Sequence, residues 1–213
     1  MEATTASPVH DPLVIHTLNA TLRSTLTPGA LDWLEESSTL VAKDITLLGD
    51  HYRQADPRCG RRPLPGWRGW SRTDGARARL LMSAEPDGPE LVATAGSLYL
   101  RGDPAERRGI LHALPFLAIG NRALPIVDDA LDTDDSRLVR AALGPYAGAY
   151  LDQTRWRQAV VKCLTMGIPL IGVAGLDKRR DAELARMGEA FARRQRTAGR
   201  PVPPDVWLIT RPR

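Results

Sequence analysis

Cysteine is scarce in this chain: Cys59 and Cys163 are the only two, and neither belongs to a C-x-x-C pair. That excludes a disulfide scaffold, a thiol–disulfide exchange motif and a zinc ribbon. Two buried thiols in a reducing compartment are expected instead. Aromatic residues are also few, at 5%. With so few aromatics and no recognisable motif, the sequence lacks the footprint of a nucleic-acid-binding protein. No apolar run approaches the roughly 20 residues that a transmembrane segment needs. The N-terminus has neither a basic n-region nor an apolar h-region, so no export signal is read and a cytoplasmic location is expected. His10, His16 and His51 have no partner at metal-ligand spacing, which leaves no zinc site. Strings of the P-loop, G-x-G-x-x-G, G-x-S-x-G and H-E-x-x-H types are missing, so nucleotide binding and the common hydrolase plans lack support. Also missing is any period-two alternation long enough for a sheet.

What remains is an ordinary globular composition, 43% hydrophobic and 25% charged over 213 residues. A chain of this size buries roughly 70% of its unfolded surface and needs no staple. The pattern predicts an all-α fold of about ten short helices with short connections, packed as antiparallel hairpins. A stack resembling HEAT repeats fits that pattern, although no true repeat is present. Residues 1–10 read as a loose arm and 11–213 as one helical domain. Asp11-Pro12, Thr27-Pro28 and Asp103-Pro104 are helix starts, a capping side chain before a proline pre-set for the first turn. Asp44, Thr73-Asp74, Asn121 or Arg122, Asp134 or Asp135, Asp152 and Asp177 open further helices. The last of these runs to Gly199. Val206, Trp207 and Leu208 pin the tail.

Residues 56–72 read DPRCGRRPLPGWRGWSR, with three prolines, three glycines and five arginines. This is the one long loop, a kind of segment that often carries function. Trp67 and Trp70 flank Arg68 there, either as an apolar lid over a ligand or as a clamp on the core. Charge is unevenly spread along the chain: residues 1–50 and 81–135 are acidic on balance, and 51–80 and 136–213 basic. Such blocks suit solvated faces or docking surfaces.

Several segments carry a resemblance: Asp129-Ala130-Leu131, Gly144-Pro145-Tyr146-Ala147, Trp156 to Leu170, Gly175-Leu176-Asp177, Glu183 to Met187 and Gly199-Arg200-Pro201. In order and spacing this stretch resembles the EboA family, and the ERRGILHALPFL run upstream is similar too. The family-like core covers about 103–208, roughly half the chain. Members of that family sit in gene clusters with prenyltransferase-like and hydrolase-like partners and are associated with prenylated or aromatic secondary metabolites. The resemblance therefore implies a protein of secondary metabolism that binds a hydrophobic metabolite and works beside cluster-encoded proteins. It supplies no catalytic residues.

The residues themselves offer chemistry of a second kind. Asp128-Asp129-Ala130-Leu131-Asp132 is a DDxxD string. On a helix, Asp128 and Asp132 share a face and Asp129 lies about 100° away. Such carboxylates can hold Mg²⁺. Arginine forks suit phosphate, and Arg107 and Arg108, Arg137 and Arg140, and Arg155 and Arg157 lie on three helices. A lysine buried at Lys162 would serve as base or nucleophile, and His112 as a general base. Trp156 and Arg157 stand in the same family-like run. The alternative reading is thus a Mg²⁺-dependent isoprenoid cyclase or transferase. Asp128, Asp129 and Asp132 would hold the metal, and Arg137, Arg157 or Lys162 the diphosphate. An acidic helix end, a packed histidine and snorkelling basic stems are the structural counterparts of these assignments.

Overall fold

A computed structural model describes residues 11–84 and 88–211. The expected N-terminal arm, residues 1–10, lies outside the described residues. Among the described residues the chain forms thirteen α-helices and three short 3-10 turns, with one isolated β-bridge and no strand. The fold is all-α. No described helix is long and apolar enough to cross a membrane. Backbone contacts gather into two compact units, Met1–Ile126 and Val127–Arg213.

The first unit holds α1 (Pro12–Thr25), α2 (Pro28–Lys43), α3 (Leu48–Cys59), α4 (Arg72–Ser83), α5 (Gly88–Arg101) and α6 (Pro104–Ala113). Helix α4 is its centre and packs on α1, α2, α3 and α6. Its sequence explains why it can sit there. Gly75, Ala76 and Ala78 are small, so neighbours approach closely: a Cβ on Gly75 would lie 3.0 Å from Leu22 and from Leu64. Gly109 gives α6 the same closeness, since a Cβ there would meet Tyr52 Oη at 2.7 Å. Leu18, Leu22, Leu48, Tyr52, Leu80, Leu81 and Ile110 fill the space around it. Burial of this many apolar side chains, each contributing about 1.5–3 kcal/mol, makes the helical packing independent of any staple. Cys59 and Cys163 are both free and buried, and burial pushes each thiol up to about 12.

The second unit contains most of α7 (Leu124–Asp132), then α8 (Ser136–Ala142), α9 (Pro145–Tyr150), α10 (Gln153–Met166), α11 (Leu176–Arg179), α12 (Ala182–Thr197) and α13 (Val206–Thr210). Helix α10 packs on α8 and α12, and α13 packs on α12. The last contact is tight because Gly188 offers no side chain: a Cβ there would meet Ile209 at 2.8 Å.

Several helix starts follow the expected chemistry. Asp11 accepts from Leu13 N at 2.9 Å, Asp103 from Ala105 N and Glu106 N at 2.8 Å, and Asp152 from Arg155 N at 2.9 Å. Asp135, not Asp134, caps α8. Others differ. Helix α3 runs through Pro57 to Cys59, so the long loop begins at Gly60. A proline in the last turn forfeits only one hydrogen bond, the one to the carbonyl four residues back. Helix α4 starts at Arg72, because Ser71 is its cap and Asp74 closes a capping box. Helix α7 starts at Leu124, later than Asn121 or Arg122. The helix expected from Asp177 to Gly199 is two: α11 ends at Arg179, and Asp181 caps α12 by accepting from Leu184 N at 3.0 Å. Helix α9 has no apolar period to announce it. In the tail Val206 and Ile209 are buried, while Trp207 and Leu208 are exposed.

Candidate functional site

The loop after α3 is ordered by its own backbone. Leu64 N donates to Trp70 O at 2.9 Å and Arg72 N to Arg62 O at 2.9 Å, beside the Pro63–Ser71 bridge. Within that frame two tight turns follow one another. Trp67 N donates to Leu64 O and Trp70 N to Trp67 O, each at 3.1 Å. The third residue of each turn is a glycine with positive φ, Gly66 at 78° and Gly69 at 81°. Side chains rarely adopt that conformation, and Pro65 supplies the fixed φ favoured at the second position of the first turn. The two turns share Trp67 and repeat at three residues, so Trp67 and Trp70 come out side by side, ring centroids 5.0 Å apart.

Those rings join an aromatic cluster. Trp67 and Trp70 lie 6.1 and 5.9 Å from Phe116, and Trp70 stacks on His112 at 4.6 Å. Trp67 Nε1 reaches Thr21 Oγ1 on α1 at 3.4 Å. Both tryptophans remain half-buried. With Leu64, Arg61, Arg68 and Arg108 they line an open depression of about 640 Å³. The tryptophans thus pack against the core through Phe116 and His112 and also line the depression.

The charges around it are fixed in different degrees. Asp74, with no solvent exposure, accepts from Ser71 N and Ser71 Oγ at 2.7 Å and from Arg108 Nη2 at 3.1 Å. Beneath it, Arg77 is itself buried, with Nε donating to Tyr52 O at 3.2 Å. The Arg61 guanidinium donates to Asp56 through Nε at 2.8 Å and holds that carboxyl below its ordinary value. Arg68, exposed between the tryptophans, has no hydrogen-bond or ion-pair partner among the described residues.

The remaining sequence candidates gather in the second unit. Asp128 and Asp132 face one guanidinium: Arg155 Nε donates to Asp128 Oδ1 at 2.9 Å and Nη2 to Asp132 Oδ1 at 2.6 Å. Asp129 is exposed about a quarter-turn or more round the helix. The one guanidinium thus offsets one of the two carboxylate charges. Among the described residues no group of three or more His, Cys, Asp or Glu side chains is placed to hold a metal ion. A cation on the string would have to compete with Arg155 for both carboxylates. Lys162 is half-buried, and its Nζ donates to Leu131 O and Thr133 O at 2.7 Å, closing the C-terminal end of α7. Arg157 donates to Asp181 at 3.1 Å and depresses that carboxyl well below its usual range. Trp156 is fully buried, with Nε1 on Ala174 O at 3.2 Å and Arg179 over its ring at 4.9 Å. Arg137 pairs with Asp135 at its own helix start, and Arg140 is exposed on α8.

The structure thus brings Trp67, Trp70 and His112 together in the first unit. It places Asp128, Asp132, Trp156, Arg157 and Lys162 among contacts that join helices of the second. Sequence reasoning had placed Arg68 between the tryptophans but had grouped none of Arg61, Leu64 and Phe116 with them. The repeat P-G-W-R-G-W was the signal for the paired rings, because a turn of fixed length repeated once predicts which side chains emerge together.

A family model described as metabolite traffic protein EboA matches residues 52–211. No curated protein and no solved structure matches the chain. The family match takes in the tryptophan loop and α4, well upstream of the segments in which the resemblance was first legible. It covers most of the sequence, and the chain belongs to the EboA family of metabolite traffic proteins.

Proposed function

We propose that the protein holds a hydrophobic metabolite, prenylated or aromatic, on the tryptophan surface of the first unit and passes it between proteins of one secondary-metabolic route in the cytoplasm. One observation carries the reading: Trp67 and Trp70 stand side by side, half-buried, over an open depression of about 640 Å³. That volume falls within the roughly 300–1,000 Å³ of small-molecule sites, and such sites are lined mainly by apolar and aromatic side chains. The openness suits a carrier, whose ligand must enter and leave without a large rearrangement. The reading assigns no chemical step to Asp128, Asp132, Arg157 or Lys162, since each already holds a neighbouring helix.

Intrinsic tryptophan fluorescence titrated with geraniol and 2-naphthol tests it. Saturable quenching with Kd below about 1 mM, the scale of roughly −4 kcal/mol, is expected. It should weaken about tenfold or more in Trp70→Ala, provided circular dichroism shows the helices unchanged. Absence of saturation with every apolar probe, charged ones included, would overturn the reading.

A further inference from the structure

We infer that the metabolite carries an oxyanion, a carboxylate or a phosphate, and that Arg68 is the residue that recognises it. This rests on the binding reading above and narrows the class of ligand. Three guanidiniums line the depression, from Arg61, Arg68 and Arg108. Only two carboxylates answer them. Asp56 takes Arg61, and the fully buried Asp74 takes Arg108. Arg68 has no counter-charge among the described residues. Donor capacity also remains on Arg108, whose Nε is buried without a hydrogen-bond partner. Buried polar atoms are normally paired, so the unpaired Nε leaves Arg108, a residue that lines the depression, with donor capacity in reserve.

Position makes Arg68 the stronger assignment. It is the second residue of the turn that joins Trp67 to Trp70, so its backbone is held between the two rings. A ligand whose apolar body lies on the rings therefore has the guanidinium close at hand for an attached anion. Arginine presents a planar fork that matches carboxylate and phosphate oxygens in pairs. The apolar floor strengthens the attraction, because a concave site with low-dielectric walls concentrates the field of one sign of charge. A neutral apolar ligand would leave that charge unanswered. The basic block of sequence over residues 51–80 acquires a role on this account: Arg61, Arg62 and Arg68 lie in one loop, and the block's only two carboxylates, Asp56 and Asp74, are already engaged.

Matched probes separate the parts of the argument. Geranyl phosphate and 2-naphthoate supply the two oxyanions on apolar bodies, and geraniol and 2-naphthol are their neutral counterparts. The intact chain should bind at least one anion about 10- to 100-fold more tightly than its neutral counterpart, the range expected for a hydrogen bond to a charged group. That preference should fall by most of its value in Arg68→Gln, which alters an exposed side chain, and should shrink with added salt. The arm that binds tells carboxylate from phosphate. Equal binding of anion and neutral probe overturns the inference and leaves the tryptophan site standing. A preference that survives in Arg68→Gln overturns the assignment to Arg68. If neither anions nor neutral probes bind, both readings fall.

Discussion

Asp181 shows how a residue that looks like a helix start becomes a tie between helices. Its carboxylate accepts from Leu184 N at 3.0 Å, from Arg157 Nε at 3.1 Å and from Gln153 Nε2 at 3.1 Å. Those donors, Arg157 foremost, keep its folded-state pKa depressed. Below the ordinary carboxylate value of about 4, the unfolded chain binds a proton that the folded chain refuses. The stabilisation is therefore complete above about pH 4 and is lost as the pH falls further. Asp44, Asp56 and Asp135 are shifted in the same direction by their own partners. Stability measured by urea unfolding between pH 5 and 2 should drop with acid, and less steeply in Arg157→Gln. Identical slopes would show that Arg157 is not what holds the Asp181 carboxylate ionised. Arg179 performs a related service: its guanidinium donates to Ala147 O, Gly148 O and Leu151 O at 2.7–3.2 Å and lies over Trp156. Arg157, which the sequence offers to a diphosphate, is thus engaged by a neighbouring helix, and Arg179 by backbone. Nothing in residue order tells a guanidinium bound for a carbonyl from one bound for a ligand.

At the scale of the element, the loop between α3 and α4 depends on two glycines. Gly69 takes a φ of 81°, a backbone conformation that residues with a side chain rarely adopt. Gly69→Ala should cost about 1–2 kcal/mol and loosen the turn that presents Trp70. The expected outcome is a lower melting temperature together with weaker quenching by apolar probes; unchanged affinity would mean that the turn does not set the ring's position. Elements with strong local chemistry were legible in the sequence. Asp11-Pro12, Asp103-Pro104 and Asp152 each cap the helix they announce, and Gly167, with a φ of 68°, ends α10. Elements decided by distant contacts were not. Asp177 and Asp181 are both good helix starts four residues apart. Gln153 and Arg157, which reach Asp181 across the fold, belong to another helix. The six residues of α9 are likewise held by Arg179, about thirty positions downstream.

On the scale of the whole molecule the two units differ in what their residues supply. The first carries the depression, and the second carries most of the segments through which the resemblance was read. Several side chains in or beside those segments fasten the unit internally. Trp156 anchors on Ala174, Lys162 on Leu131 and Thr133, and Arg179 on three carbonyls before α10. Lys162→Met should therefore lower the unfolding free energy by about 1–3 kcal/mol, the cost of leaving carbonyls without their charged donor. It should leave the affinity for geraniol or 2-naphthoate unchanged; a loss of affinity at unaltered stability would move the site to α10. The all-α class and the two thiols followed from composition and period. The depression did not, because it needs Phe116 and His112 from beyond α6's first turns to meet a loop some forty residues earlier, and period carries no information about such meetings.

The paired turns of the tryptophan loop have one more consequence, for how the protein can change. Gly66, Gly69 and the backbone bonds at Leu64 and Arg72 set the path of the chain, while positions 67, 68 and 70 supply its chemistry. Arg68 belongs to the second set alone, since the rings of Trp67 and Trp70 also pack on Phe116 and His112. On the proposed reading, substitutions at Arg68 would change what the loop accepts while its path stays as it is, whereas those at the tryptophans would also release ring contacts. A binder with altered preference can therefore be sought first at a single codon.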